Sequence, residues 1–181
     1  WYYYLDGCRL TGIQNIDDLL YYLDPARDGA MSCGWIFTEN KWYYAGPSGA
    51  LASGWQFIGD QWYWFDSLNS CSMATGRRVI DGHPYLLGTY GLINGWYLDN
   101  GLWYWGSNGE VLTGWLQTGN NWYWLDPNNN GAMLLGFQTV NGSIYYLDPD
   151  SGGALECNAW IFSQDGSAYY ACGSGAIVLT G

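Results

Sequence analysis

Positive charge is scarce in this chain, whose 181 residues include five lysines and arginines against sixteen aspartates and glutamates. The formal net charge of −11 leaves no basic surface for a phosphate backbone, so we predict no nucleic-acid partner. The same negative field favours a cationic ligand group, although its main effect is on solubility.

Histidine is nearly absent as well, and apolar runs are short. The single histidine, His83, follows Asp81-Gly82 at a predicted hairpin turn, and the sequence has no nucleophile-elbow, zinc-protease or phosphate-loop motif. We therefore predict that the chain is not an enzyme and holds no cofactor and no metal. No stretch reaches the roughly 18 apolar residues of a membrane span, which predicts no membrane insertion.

The five cysteines contain no C-x-x-C pair, which argues against a zinc or thioredoxin-type site. Two interpretations of them stay open. They are small buried thiols, or, in an extracellular protein, Cys157 bridges to Cys172 and Cys8 to Cys33, with Cys71 left unpaired.

Aromatic residues are abundant instead, with thirteen tryptophans and seventeen tyrosines. They recur in one phrase, in which Gly-Trp or a close variant is followed seven residues later by an aromatic triplet such as Trp42-Tyr43-Tyr44. The strongest copies are Trp35/Trp42, Trp55/Trp62, Trp96/Trp103 and Trp115/Trp122, and weaker ones are Ile13/Leu20, Arg77/Pro84 and Phe137/Ile144. A period of about twenty residues predicts a solenoid of about nine repeats, each stable only against its neighbours.

The copy at residues 55–65 predicts a β-hairpin with Gly59-Asp60 at its tight turn, because aromatic and β-branched residues alternate around that turn. Directly opposed residues of such a ladder share a face. Four rings then lie on one face, namely Trp55, Phe57, Trp62 and Trp64. Tyr63 and Phe65 point to the other face.

The face of Tyr63 is the predicted core. The middle position of the triplet is tyrosine in all nine copies, as expected if each repeat makes the same contact with the next. These residues are Tyr3, Tyr21, Tyr43, Tyr63, Tyr85, Tyr104, Tyr123, Tyr145 and Tyr169. We predict an all-β solenoid of hairpins with almost no helix, and Asp17-Asp18-Leu19-Leu20 is the one place where a short helical turn fits.

Both ends of the sequence fall inside the repeat pattern. The chain opens at Trp1-Tyr2-Tyr3-Tyr4 and stops at Thr180-Gly181, where the next tryptophan is due, and it has no signal-peptide pattern. We expect residues 1–181 to form a single repeat array cut from a longer secreted protein, with anchors and any catalytic domain outside it.

The phrase Gly-Trp-(x)6-Trp-Tyr-Tyr/Trp-Leu/Phe-Asp, followed by Gly-Ala-Met, resembles the choline-binding, or cell-wall-binding, repeat of Gram-positive surface proteins and lytic enzymes. Its best copies are residues 54–65 with Met73 and residues 114–126 with Gly131-Ala132-Met133. Related repeats occur in glucan-binding regions of glucansucrases and in clostridial toxins. The resemblance implies a left-handed superhelix of hairpins and a secreted protein at the bacterial cell surface.

In choline-binding members, the ligand sits between successive hairpins. Two tryptophans come from one hairpin, a third aromatic from the next, and an apolar residue, often methionine, closes the site. The sites implied here are Trp35 with Trp42 and Trp64, Trp96 with Trp103 and Trp124, Trp115 with Trp122 and Tyr146 closed by Met133, and a fourth in which Trp55 and Trp62 meet Leu86.

The ligand that the resemblance implies is choline or phosphocholine on cell-wall teichoic acid. A quaternary ammonium has no N–H to donate, so aromatic faces hold it, at about 0.5–2 kcal/mol per cation–π contact. The alternative is a carbohydrate-binding module for a glucan or another polysaccharide, whose sugar rings stack on the same tryptophans. A third interpretation, that the rings are only solenoid packing, leaves an exposed apolar surface, which usually marks a binding site.

Overall fold

The computed structural model describes residues 1–178, and this part of the chain is all-β, without an α-helix. Within it, eight two-stranded hairpins follow one another. Their first strands are Gly12–Ile16, Gly34–Thr38, Gly54–Ile58, Gly76–Ile80, Gly95–Asp99, Gly114–Thr118, Gly136–Val140 and Ala159–Phe162. Their second strands are Leu19–Asp24, Lys41–Ala45, Gln61–Asp66, His83–Gly88, Leu102–Ser107, Asn121–Asp126, Ser143–Asp148 and Ala168–Ala171.

The predicted hairpin register is confirmed. Gly59 and Asp60 have φ values of 57° and 65°, which is the left-handed pair that a type I′ turn requires. The ladder beside this turn pairs Trp55 with Trp64 and Phe57 with Trp62.

Short 3-10 turns follow three hairpins, at Pro25–Arg27, Ser67–Asn69 and Pro127–Asn129. In each, the aspartate that ends the hairpin accepts the N–H two residues on, at 2.9 Å for Asp24, 3.0 Å for Asp66 and 2.9 Å for Asp126. An aspartate at such a position satisfies an amide that the turn leaves unpaired.

The segment Asp17-Asp18-Leu19-Leu20, the one place where a short helical turn fitted the sequence, forms no helical turn. Asp17 and Asp18 have φ values of 50° and 63° and form the tight turn of their own hairpin. Leu19 and Leu20 lie in its second strand. Two successive left-handed residues reverse the chain and cannot start a right-handed helical turn.

Two-residue strands pair with the ends of the second strands. They are Ala30–Met31, Ser72–Met73, Gly91–Leu92, Glu110–Val111, Ala132–Met133, Ala154–Leu155 and Ile177–Val178, and a similar ladder joins Tyr4–Leu5 to Cys8–Arg9 near the start. The hairpin 34–45 has a single bridge from Ala45 to Leu51 in the same place. We call the apolar residue supplied here, such as Leu51, Met133 or Leu155, the closing residue of its hairpin.

The core is confirmed at the position two residues after the middle tyrosine. In seven of the nine copies the side chain there is at most 2% exposed, and these residues are Leu23, Ala45, Phe65, Leu87, Leu125, Leu147 and Ala171. The exceptions are Leu5, which is 54% exposed, and Gly106, which has no side chain. The tyrosines themselves vary: Tyr43 is 2% exposed, whereas Tyr3 is 37% exposed and Tyr145 is half-buried. The assignment of every middle tyrosine to the core is therefore only partly right, and the grooves described below explain why.

The chain forms two compact units. The first is Trp1–Arg78 with Leu87–Leu92, and the second is Val79–Leu86 with the residues from Ile93 on. The core of the first unit contains Ile36, Tyr43, Ala45, Leu51 and Cys71. The second unit has one cluster of Leu86, Tyr104 and Ala132 and another of Leu116, Leu125 and Met133.

All five cysteines carry free thiols, and Cys71 is the buried one. Over residues 1–178, no group of three or more histidine, cysteine, aspartate or glutamate side chains is placed to hold a metal ion. The same residues include no helix long and apolar enough to cross a membrane.

Candidate functional site

The best-defined groove lies between the hairpins 114–126 and 136–148. Trp115 and Trp122 come from the two strands of the first hairpin, with ring centroids 6.5 Å apart and ring planes at 84°. Tyr145, from the second hairpin, places its ring centroid 5.0 Å from that of Trp115. Two perpendicular indoles and a phenol therefore form three walls of the groove.

These rings line a cavity of about 300 Å³. Leu155, the closing residue of the second hairpin, adds an apolar side, and Cys157, Gly173 and Ser174 complete the lining. Gly175 packs directly on Leu155, because a Cβ at this position would lie 2.6 Å from Cδ2 of Leu155. Gly175 also has a φ of 82°. The position thus needs glycine both for its backbone conformation and for space.

The surroundings of this cavity are negative. Among its lining residues there is no lysine or arginine. Burial first, and then the nearby Glu156 carboxylate, raises the pKa of the Cys157 thiol. The Glu156 carboxylate therefore favours a cation in the groove.

The second unit contains another groove of this kind. Trp96 lies 6.4 Å from Trp103, with ring planes at 84°, and 4.9 Å from Tyr123 of the next hairpin, measured between ring centroids. Met133, the closing residue of that next hairpin, packs in one cluster with Trp96 and Tyr123.

In the first unit, the groove between hairpins 34–45 and 54–66 repeats the arrangement. The Trp35 centroid lies 6.1 Å from that of Trp42, with ring planes at 88°, and 4.9 Å from that of Tyr63. Met73 is the equivalent closing residue, because it pairs with Phe65 as Leu155 pairs with Leu147.

The third aromatic wall differs from the sequence-based prediction. The rings predicted for it pair within their own hairpins, Trp64 with Trp55 at 5.3 Å, Trp124 with Trp115 at 5.2 Å and Tyr146 with Phe137 at 4.7 Å. Neighbouring side chains alternate between the two faces of a strand. Each hairpin therefore contributes its middle tyrosine to the preceding groove. The aromatic residue that was predicted for this wall is the next residue along the strand.

Met133 also closes a different groove from the one predicted: it lies at the groove of Trp96 and not at that of Trp115. It is 9% exposed and packs on Leu125, whereas Leu155 lines the cavity at Trp115. Leu125 pairs with Met133 in the ladder. A closing residue thus comes from the later of the two hairpins that form a groove, together with the tyrosine.

The fourth predicted pair has the same perpendicular geometry, with Trp55 and Trp62 centroids 6.5 Å apart and planes at 88°. Leu86, the residue predicted to meet them, is fully buried in the core of the second unit with Tyr104 and Ala132.

Where the tryptophan positions are aliphatic, the groove is filled. Ile13 and Leu20 pack into the core cluster that contains Tyr43 and Leu51. Tyr43 is then 2% exposed and Leu51 7% exposed. The weak copy at Ile13 and Leu20 therefore builds ordinary core at the place where the copy at Trp115 and Trp122 leaves a cavity.

Two further cavities are polar. One of about 400 Å³ lies beside Trp42 in the first unit, and its lining includes Lys41, Arg78 and Met73. The other, of about 350 Å³ in the second unit, has Trp124 as its aromatic wall, with polar side chains around it, Asp126, Asn128, Gln138, Thr139 and Asn141 among them. Sequence reasoning missed Lys41 and Arg78 because they come from different repeats and belong to no motif.

A family model described as a putative cell wall binding repeat matches residues 34–51, 53–67, 113–133 and 136–150. These segments contain hairpins with both tryptophans and also the weaker copy with Phe137 and Ile144. A search of curated protein sequences gives no match.

Solved structures resemble most of the chain. CbpJ from Streptococcus pneumoniae superposes with a TM-score of 0.73 and 33% identity over 94% of this chain. Choline binding protein F from the same organism has a TM-score of 0.72 and 34% identity, also over 94%. This chain spans only 59% of the first protein and 58% of the second.

The choline-binding domain of CbpL from Streptococcus pneumoniae matches 93% of this chain, and the chain covers 87% of that domain. Its TM-score is 0.67 and its identity 23%, so this likeness concerns the fold alone. The fold class of hairpin repeats is confirmed, while the handedness of the superhelix, the count of nine and the ligand-binding role of the twelve predicted residues stay predictions.

Proposed function

Because this chain belongs to the cell wall binding repeat family and its structural relatives are choline-binding proteins, we propose that it is a non-catalytic module that binds choline groups. Its polymer ligand is a choline-bearing teichoic acid of a bacterial cell wall. The module would then hold a longer, secreted protein at the cell surface, and any catalysis would lie outside the repeat array of residues 1–181.

The observation that carries the proposal is the cavity of about 300 Å³ at Trp115, Trp122 and Tyr145. A trimethylammonium group has no N–H and so needs no acceptor, and it gains from several aromatic faces at once. The lining suits such a group, since it is mainly aromatic and aliphatic and lies near the Glu156 carboxylate.

A thiol in the lining makes this groove directly testable. Cys157 and Cys33 are both exposed, but Cys157 lines the cavity and Cys33 lies outside it. We expect saturating choline to slow the alkylation of Cys157 by iodoacetamide about fivefold or more, by steric exclusion, and to leave Cys33 unchanged. Peptide mass spectrometry on the intact chain measures both rates in one sample.

The double variant Trp115→Ala with Trp122→Ala is the matched control and should lose the protection of Cys157. Unchanged alkylation of Cys157 in the wild type at high choline would contradict the proposal. Equal slowing of both thiols would contradict it too, because a groove ligand cannot shield Cys33.

The polar cavity at Trp124 favours a second candidate function, the binding of a glycan. Sugar rings stack on exposed indoles, and the side chains of Asn128, Gln138 and Asn141 in its lining can bond hydroxyl groups. Titration with dextran and starch oligosaccharides separates the two candidates. A response to oligosaccharides that Trp124→Ala removes, together with no protection of Cys157 by choline, would favour the glycan.

The repetition of the groove predicts a preference for polymers. A single choline group has few atoms, so one groove binds it weakly. Two grooves in the second unit, at Trp96 and Trp115, can engage one polymer, and the second contact is then intramolecular. We expect choline-bearing polymer to bind about a hundredfold or more tighter than free choline, and excess choline to release it.

A further inference from the structure

The polar cavity beside Trp42 adjoins one of the aromatic grooves. Trp42 is the second tryptophan of the groove that contains Trp35 and Tyr63, and Met73 is the closing residue of the same groove. Both Trp42 and Met73 also line the cavity of about 400 Å³. A ligand held against Trp42 by its ammonium group therefore has this polar space directly beside it.

The charge of this cavity is opposite to that of the chain as a whole. Two of the five basic residues of the chain, Lys41 and Arg78, line it. The carboxylate in the lining is Asp66, whose Oδ1 accepts the amide N–H of Leu68 at 3.0 Å. Two cations against one carboxylate give a local positive balance in a molecule with a net charge of −11.

Both cations keep their charge available. Lys41 Nζ donates to Asn69 Oδ1 at 2.9 Å, and Arg78 Nη1 donates to the backbone carbonyl of Arg77 at 2.9 Å. These acceptors are neutral, and neither cation has a salt bridge within residues 1–178. Each side chain retains further N–H donors for an anion.

We propose that this cavity is a phosphate subsite, so that the groove at Trp42 binds a whole phosphocholine group. The inference rests on the function proposed above and adds the residues that distinguish phosphocholine from choline. The rings of Trp35, Trp42 and Tyr63 take the ammonium group, and Lys41 and Arg78 take the phosphate. Charge-assisted hydrogen bonds to phosphate oxygens are the strong kind, and they do not require a buried site.

The cavity at Trp122 is an internal control. It has the same pair of perpendicular indoles, but its lining contains no lysine or arginine and lies beside Glu156. A phosphate should therefore add nothing to binding there.

Glycerophosphocholine is a suitable probe, because its phosphodiester and ammonium charges cancel and the field of the whole chain acts little on it. The intact chain is titrated with choline and, separately, with glycerophosphocholine. The indole N–H signals of Trp42 and Trp122, assigned through Trp42→Phe and Trp122→Phe, report each groove by nuclear magnetic resonance.

We expect glycerophosphocholine to bind about fivefold tighter than choline at Trp42 and no tighter than choline at Trp122. The double variant Lys41→Gln with Arg78→Gln should remove the preference at Trp42, while choline affinity should not fall at Trp42, because two neighbouring positive charges are gone, and should stay the same at Trp122. Raising the salt concentration to about 1 M should reduce the preference for glycerophosphocholine at Trp42, because the Debye screening length falls to about 3 Å.

An equal ratio of the two affinities at Trp42 and Trp122 would overturn the subsite, as would a preference that survives the double variant. If choline shifts neither indole signal, the proposed function itself fails and the subsite fails with it. Cosedimentation with phosphatidylcholine vesicles distinguishes the source of the phosphocholine: capture by vesicles indicates a lipid head group, and its absence alongside glycerophosphocholine binding indicates a polymer.

Discussion

Two grooves have the same strand pairing but contain different side chains. One lies between hairpins 12–24 and 34–45, and the other lies between hairpins 114–126 and 136–148. In the first, Ile13 and Leu20 join the core cluster of Tyr43 and Leu51. In the second, the equivalent residues are Trp115, Trp122, Tyr145 and Leu155, and they line a cavity of about 300 Å³.

The difference shows that two positions per hairpin decide whether a groove is core or site. Ile13 and Leu20 pack against the core cluster that contains Tyr43, and the Tyr43 ring is 2% exposed. Two indoles set at 84° cannot both lie on one phenol, so they leave space, and Trp122 stays 41% exposed. The ladders beneath are the same in both places.

The groove at Phe137 is an intermediate case. Phe137 lies 4.8 Å from Tyr169 of the next hairpin, as a tryptophan does at the strong copies. Ile144 occupies the position of the second tryptophan, and both side chains are 38% exposed. This groove has the tyrosine contact of a site without the second aromatic wall.

Replacing the middle tyrosine with alanine should give the largest difference between the filled groove, at Tyr43, and the open groove, at Tyr145. Tyr43→Ala should lower the free energy of unfolding by about 3–5 kcal/mol, because it empties a packed core position. Tyr145→Ala should cost about 1–2 kcal/mol, since that ring already borders a cavity, but should abolish choline binding in its groove. Urea unfolding and choline titration measure the two effects, and equal stability losses would contradict the comparison.

Conversion of the open groove to the filled pattern should come next in size. Trp115→Ile with Trp122→Leu should weaken choline binding there about tenfold or more, because two cation–π contacts are lost. The stability change should stay within about 1.5 kcal/mol, as aliphatic side chains close over Tyr145. The groove at Trp96 serves as the control, and a matching loss there would mean that the effect is not local.

The reverse conversion should create a site. Phe137→Trp with Ile144→Trp supplies the missing wall beside Tyr169 and should add one weak choline site to the stoichiometry measured by titration. Phe137→Trp alone leaves the groove without its second indole and should add none. If the double variant folds and its stoichiometry does not rise, then two tryptophans and a tyrosine are not sufficient for a site.

The smallest expected effect concerns pH and the turn that follows hairpin 12–24. The amide of Ala26, followed by the Arg27 side chain, lowers the pKa of the Asp24 carboxyl below its ordinary value of 3.8. Its contribution to stability is therefore complete above that value and is lost as the pH falls through the folded-state pKa. Asp24→Asn keeps a good capping side chain and removes the charge.

Melting temperatures between pH 5 and pH 2 provide the measurement for Asp24. The difference between the wild type and Asp24→Asn should shrink as the pH falls, because the wild-type carboxylate becomes neutral. A difference that stays constant over this range would mean that the Asp24 charge contributes nothing to the turn.

Much of the fold could be predicted because the repeat exposes its own periodicity. The turn at Gly59-Asp60 determines which residues are opposed, and alternation then assigns Trp55 and Trp62 to one face. The buried position at Phe65 follows from the same alternation. These are local consequences of strand geometry, and one hairpin contains them.

The rest depends on how one hairpin meets the next, which no single repeat encodes. Tyr63 and Trp64 lie on opposite faces of their strand, so either could be the third wall, depending on which face meets the preceding groove. The motif alone does not determine which face that is. The convergence of Lys41 and Arg78 on one cavity requires residues from separate repeats. The filling of the groove at Ile13 was equally hidden, since the sequence shows there only a weak copy of the motif.

The most direct test of the central claim, that these grooves recognise a cation through aromatic walls, compares choline with its uncharged isostere 3,3-dimethyl-1-butanol. Both ligands have the same shape, so packing alone predicts similar affinities, whereas cation–π attraction and the carboxylate near Cys157 act only on choline. With the Trp115 and Trp122 indole signals as the readout, we predict that choline binds about tenfold tighter or more. Equal affinities for the two ligands would contradict the account.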